Sequence, residues 1–222
     1  PRHLTSSTFR CTRCATAGCA SCRIDSPWGP LCESCVGQLE RTDAREVGSH
    51  DADAYLVARM RSQTDLPIHV HLMVSDPVLL SQIDQFAEAG ADLISLHVEN
   101  ANAAEGLDRI AAHGLKAGMV LRVETPVAEA APWLPRLDML TLLGTAIGVK
   151  GQGLNPAATD RLQEAGRLIS AMGRRIVLAA DGGIRDTTVP LLRAAGAETV
   201  VMGSLAFGAL DLAERMHWLH NL

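Results

Sequence analysis

Aromatic side chains are scarce in this chain, with 3 Phe, 1 Tyr and 3 Trp among 222 residues, so a core must be assembled almost wholly from aliphatic groups. No apolar run reaches the length that spans a bilayer. A charged, then apolar, leader is also missing, which makes a cytoplasmic protein the expectation. Basic residues are not in excess. The net charge of −5 gives no reason to expect nucleic acid or an anionic membrane as a partner. An initiator Met is missing too: the chain starts at Pro1, which leaves a fragment open.

Cysteine is missing from everything after residue 35. All six, Cys11, Cys14, Cys19, Cys22, Cys32 and Cys35, lie in that first stretch, as three C-x2-C knuckles separated by four and nine residues. Two such knuckles can complete a tetrahedral zinc site, and bound zinc could fold a segment with so little core. Six thiols do not fill two four-ligand sites, however. Residues 1–46 show no useful periodicity, and two readings stand: a zinc-binding module, or a mistaken or truncated N-terminus joined to an unrelated domain.

From residue 51 to 222 the pattern changes to a second domain. A helix is predicted over Asp51–Ser62, and strand-like runs begin near Ile68, Leu93, Lys116, Met139, Arg175 and Thr199, each followed by a helical segment. That alternation predicts an α/β fold with a parallel sheet. The punctuation fits it. Leu79, Leu80, Ile83, Phe86 and Ala87 make one helical face that Gly90 ends, Asp76 is placed to cap it, and Thr125-Pro126 and Asn155-Pro156 read as caps with first-turn prolines. Six βα units are visible where a closed barrel needs eight.

Polar residues gather late in these strands, where α/β proteins build sites. In Ile68-His69-Val70-His71-Leu72-Met73-Val74 the alternation turns His69, His71 and Met73 to one face. Alone, such a pair is more often an ordinary core or surface histidine pair. His97 and Glu99 follow the next strand. Asp181 then emerges from Ile176-Val177-Leu178-Ala179-Ala180 into Gly182-Gly183, where it is either a metal or proton-transfer carboxylate or a plain Asp-Gly turn. Gly182, Gly183, Gly203 and Ser204 offer backbone N–H groups to an anion.

The run from about Leu66 to Met216 resembles the ribulose-phosphate 3-epimerase family, including its allulose-6-phosphate 3-epimerase-like members. The resemblance is carried by His69-Val70-His71-Leu72-Met73-Val74, Phe86-Ala87-Glu88-Ala89-Gly90-Ala91-Asp92, His97-Val98-Glu99, Glu124-Thr125-Pro126-Val127, Asp181-Gly182-Gly183-Ile184 and Ala195-Gly196-Ala197, in the family's order. It implies a (β/α)8 TIM barrel of ribulose-phosphate-binding type, here lacking its first two βα units behind an irregular Cys-rich segment. It also implies an isomerase that inverts C3 of a ketose phosphate through a metal-stabilised enediolate. An open barrel missing two strands would expose apolar sheet edges and so must pair with another chain or aggregate, which makes a homo-oligomer the expectation. Carried over by residue, His71 and Asp181 are metal ligands for Zn, Fe, Mn or Co, and Asp181 is also a catalytic acid/base. Met73, His97, Gly151, Gly182, Gly183, Gly203 and Ser204 fall at substrate-binding positions.

The departures bear on activity. The family's second-strand His-x-Asp-x-Met-Asp-Gly has no counterpart, which removes two metal ligands and one acid/base Asp; its sixth-strand loop is altered to Leu143-Gly144-Thr145-Ala146-Ile147-Gly148-Val149-Lys150-Gly151-Gln152-Gly153. An impaired epimerase is therefore expected. Two alternatives are a non-catalytic sugar-phosphate-binding barrel fused to a zinc-binding interaction module, and an isomerase or aldolase using Lys150 as nucleophile.

Overall fold

The structure is a computed structural model that describes residues 8–10, 17–19, 23–26, 29–32, 49–148 and 151–222, with side chains from residue 53 onward. The chain divides into two compact units, Pro1–Tyr55 and Leu56–Leu222. In the first unit, β1 (Thr8–Arg10) pairs antiparallel with β2 (Ala17–Cys19), and β3 (Arg23–Ser26) with β4 (Gly29–Cys32). The expectation of an irregular segment is corrected to this extent. These short strands lie among cysteines, serines and glycines, with no flanking run of alternating apolar residues to announce them. The zinc expectation falls outside what is described: Cys11, Cys14, Cys22 and Cys35 are not among the described residues, nor are the side chains of Cys19 and Cys32.

The second unit holds six parallel strands: β5 (His69–His71), β6 (Leu93–His97), β7 (Lys116–Leu121), β8 (Met139–Leu143), β9 (Val177–Asp181) and β10 (Thr199–Val201). Each strand lies beside its neighbours in sequence, in the order β10-β9-β8-β7-β6-β5. That is the order of a barrel wall rather than of a doubly wound sheet. All five residues of β6 are buried, as a strand covered on both faces must be.

Helices alternate with the strands along the chain. Helix α1 (Ser49–Arg61) precedes the sheet, and α2 (Asp76–Glu88), α3 (Ala103–Ala112), α4 (Ala158–Ala171), α5 (Val189–Ala194), α6 (Ser204–Phe207) and α7 (Leu212–His220) follow in turn. In α2 the buried residues are Leu79, Gln82, Ile83 and Phe86, the i, i+3, i+4, i+7 stripe of an amphipathic helix. Between β7 and β8 the expected helix is replaced by two 3-10 turns, Val127–Ala130 and Leu134–Arg136. The Thr125 hydroxyl, which would cap a helix there, donates to Glu99 Oε1 instead. Asp76 does not cap α2 either; its Oδ1 accepts from Asn100 Nδ2 at 2.8 Å and the Ala101 N–H at 3.1 Å, tying the turn after β6 to the start of α2.

The opposite end of the sheet is held by a repeated device. Asp92 Oδ2 accepts the Ile68 N–H at 2.7 Å, Asp138 Oδ2 accepts the Ala117 N–H at 2.9 Å, and Glu198 Oε1 accepts the Leu178 N–H at 3.2 Å. Each carboxylate precedes one strand and satisfies an amide at the start of the strand before it. Each also faces an arginine: Arg61 at 2.8 Å, Arg174 at 3.6 Å and Arg175 at 2.6 Å respectively. Strand-start amides that would lack a partner are thus satisfied. Among the described residues no helix is long and apolar enough to cross a membrane.

Candidate active site

Period-2 alternation along β5 and β6 puts His69, His71, Ser95 and His97 on the concave face of the sheet. In the β5–β6 register His69 stands beside Leu93 and His71 beside Ser95, so each histidine reaches diagonally to a residue further along β6. His69 Nε2 meets Ser95 Oγ at 2.7 Å, and His71 Nε2 meets His97 Nε2 at 3.0 Å. The His71 and His97 rings are nearly parallel, with centroids 5.0 Å apart and planes inclined by 24°. Ser95 has room because the next strand carries Gly118: a Cβ there would lie 1.9 Å from Ser95 Oγ.

From His97 the polar line continues outward. His97 Nδ1 lies 3.1 Å from Glu99 Oε2, while Glu99 Oε1 accepts the Arg122 N–H at 3.1 Å and the Thr125 hydroxyl. His97 is only 3% exposed, with both ring nitrogens engaged. Burial, then the charge of His71, lowers its pKa, against the pull of Glu99. Burial alone would raise Glu99. The hydrogen bonds from Thr125 and the Arg122 backbone, with that of its own backbone and the charge of His97, outweigh burial and hold the carboxyl below its ordinary range.

On its other side His71 faces Asp181, at the C-terminal end of β9, with Nδ1 and Oδ2 3.7 Å apart. His69 keeps an exposed side along the edge strand, yet the packing of its ring favours the neutral form. Burial, reinforced by the charge of His71 and opposed by Asp181, pushes its pKa down to about 4.

The remaining expected residues lie at the same end of the sheet. Gly182 and Gly183 turn the chain out of β9 with φ of 86° and 71°. A Cβ at Gly182 would stand 2.4 Å from Thr145 Oγ1, so close packing against the β8 turn also requires glycine there. Gly203, with φ of 40°, leads into Ser204 at the start of α6. Met73 is 59% exposed beyond the end of β5. Gly151 is described, with open space beside it, but Val149 and Lys150 lie outside the described residues, and with Lys150 the nucleophile reading. A groove of about 690 Å³ lined by Arg167, Arg174, Arg175 and Glu198 sits at the opposite end of the sheet, away from Asp181.

The two side chains expected as metal ligands therefore meet, His71 Nδ1 and Asp181 Oδ2. Ligands about 2.0–2.1 Å from a tetrahedral ion lie roughly 3.4 Å from one another, so 3.7 Å suits a shared cation. Among the described residues no group of three or more His, Cys, Asp or Glu gathers for a metal.

The sequence profile of the ribulose-phosphate 3 epimerase family matches residues 42–207. The chain belongs to that family. It is 39% identical over 160 residues to "Ribulose-phosphate 3-epimerase 2" of Cupriavidus necator, a match covering 68% of this chain and 64% of that protein. It is 34% identical over 158 residues to the ribulose-phosphate 3-epimerase of Bacillus subtilis, covering 70% and 72%. The chain thus spans under two thirds of the length of the Cupriavidus relative. Among solved structures, "KGPDC" of Streptococcus mutans superposes with a TM-score of 0.61 at 16% identity over 80% of both chains. A 3-hexulose-6-phosphate synthase does so with 0.57 at 21% identity, over 75% and 78%. At these identities the likeness is one of fold: a parallel, barrel-like α/β wall.

Proposed function

We propose that this chain is a sugar-phosphate epimerase of the ribulose-phosphate 3-epimerase type, acting at C3 of a ketose phosphate and impaired as it stands. The observation that supports this best is Asp181 at the end of β9, facing His71 at 3.7 Å beside a glycine turn. Membership of the family favours an enzyme over a barrel that only binds.

In this reading the Asp181 carboxylate takes the C3 proton. The C–H electron pair becomes the C2–C3 double bond, and the C2 carbonyl becomes an oxyanion. His71 lies beside Asp181 on the concave face and supplies a polar neighbour where that charge develops. Met73 covers the planar intermediate, while the backbone amides of Gly182, Gly183, Gly203 and Ser204 hold the phosphate. His97 sits behind His71, and Gly151 belongs to the loop over the substrate. A divalent cation, when bound, supplies positive charge beside the oxyanion, with His71 Nδ1 and Asp181 Oδ2 as its protein donors. Two donors hold such an ion weakly, because water and substrate must fill the rest of its shell.

Inversion needs a second acid/base group on the opposite face, and the family's second-strand Asp that would take that role has no counterpart in this sequence. With Asp181 alone, the proton returns to the face it left. D-ribulose 5-phosphate incubated with the chain in D2O should then exchange its C3 proton, followed by NMR, faster than its C3 epimer accumulates. No exchange above background would overturn the reading. Exchange and inversion at equal rates would show that a second acid/base group is present and the chain unimpaired.

A further inference from the structure

The hydrogen bonds behind His71 have a direction, and it is set at Glu99. The Arg122 backbone N–H and the Thr125 hydroxyl both reach Glu99 Oε1. Oε2 faces His97 Nδ1 at 3.1 Å, and a carboxylate can only accept, so His97 Nδ1 carries the proton. In a neutral imidazole the other nitrogen is then an acceptor. His97 Nε2 lies 3.0 Å from His71 Nε2, so the proton of that bond belongs to His71 Nε2. His71 Nδ1 is left with its lone pair toward Asp181 Oδ2, at 3.7 Å.

We infer that Glu99 is a positioning residue: acting through His97, it fixes His71 as the Nε2–H tautomer and keeps the His71 Nδ1 lone pair aimed at Asp181. Glu99 touches neither His71 nor Asp181, and its influence passes through a ring that is 3% exposed. Burial matters because no water need compete for His97, so one acceptor decides both rings. A lone pair facing a carboxylate is repulsive unless something positive lies between them. The arrangement therefore prepares that gap for a cation or for a proton shared with substrate. The inference rests on the site proposed above for its purpose, but its hydrogen-bond logic is tested without turnover.

Glu99→Gln discriminates. The Arg122 N–H can only donate, so the new amide must present its oxygen there and its NH2 to His97 Nδ1. His97 must then carry its proton on Nε2, and His71 in turn on Nδ1. The test is a long-range 1H–15N correlation spectrum of 15N-histidine-labelled, chelator-treated full chain at about pH 8.5, roughly two units above the ordinary imidazole pKa. In the unaltered chain His71 should show the Nε2–H pattern and His97 the Nδ1–H pattern. Glu99→Gln should invert both, whereas Thr125→Val, which removes a donor but leaves the carboxylate, should invert neither. An Nδ1–H pattern for His71 in the unaltered chain, or a His71 tautomer indifferent to Glu99→Gln, would overturn the inference. The spectrum of the unaltered chain decides even if a variant fails to fold. Loss of C3 exchange with the tautomers as stated would instead count against the proposed function alone.

Discussion

His71 Nδ1 and Asp181 Oδ2 stand 3.7 Å apart although three strands separate β5 from β9 in the same sheet. In a flat sheet four inter-strand steps of roughly 4.8 Å would hold these strands about 19 Å apart. Contact between their side chains requires the wall to curl strongly toward its concave face. Curvature thus assembles the site, and the residues that permit tight strand packing are part of how it is made.

Asp181 is the group asked to move the proton, so Asp181→Asn should lower C3 exchange by about 10²- to 10⁴-fold, the usual worth of a positioned acid/base group. Since the substitution is nearly isosteric at the sheet's end, the urea midpoint should stay close to that of the unaltered chain. Equal exchange rates for the two proteins, measured by NMR in D2O, would remove Asp181 from the reaction.

His69 gives the fold a defined pH dependence. Its pKa falls from the ordinary 6.5 to about 4 on folding, so between those values the unfolded chain binds a proton that the folded chain refuses. The contribution is complete above pH 6.5 and is lost as pH drops toward 4. Urea midpoints measured across that window should decline with acid. His69→Gln, which retains a polar partner for Ser95 but does not titrate there, should flatten the decline. An unchanged slope would assign the dependence to other groups.

The positions of His71, Asp181 and all six parallel strands were legible because alternation and buried apolar runs are local signals. What escaped the sequence was which partner a polar residue chooses. Asp76 has the spacing of a helix cap, but the Asn100 side chain and the Ala101 amide take its oxygen. Thr125 has the same spacing and is taken by Glu99. In each case a residue more than twenty positions away outcompetes the local use, and no periodicity reports it. The carboxylates at Asp92, Asp138 and Glu198 did leave a trace. Each is an acidic residue set immediately before an apolar strand, on alternate units of the repeat.

Gly118 tests the packing beneath the site. A methyl group there would collide with Ser95 Oγ, displacing the hydroxyl from His69. Gly118→Ala should therefore destabilise the fold by about 1–3 kcal/mol, the common cost of overpacking. Ser95→Ala added to it should recover part of that loss, since the clashing oxygen is gone and only the milder crowding of the Ser95 Cβ at 3.0 Å and Leu93 Cδ2 at 3.3 Å from the new methyl remains. Denaturant titration of the single and double variants gives the coupling. Strict additivity would mean that the two positions do not share this space.

The outer edges of β5 and β10 have no strand partner among the described residues. In β10 and the segment that follows it, Val201 is 45% exposed and Leu212 54%, and Phe207, at 95%, and Leu210 stand fully in solvent. Unpaired edges next to apolar side chains favour association. Self-association through this end is expected, and sedimentation velocity should show a weight-average mass that rises with concentration. Phe207→Ser with Leu210→Ser should shift the distribution toward the monomer without loss of helix or strand content, because neither side chain is buried within the chain. A monomer at all concentrations would mean that these edges are covered from within the polypeptide.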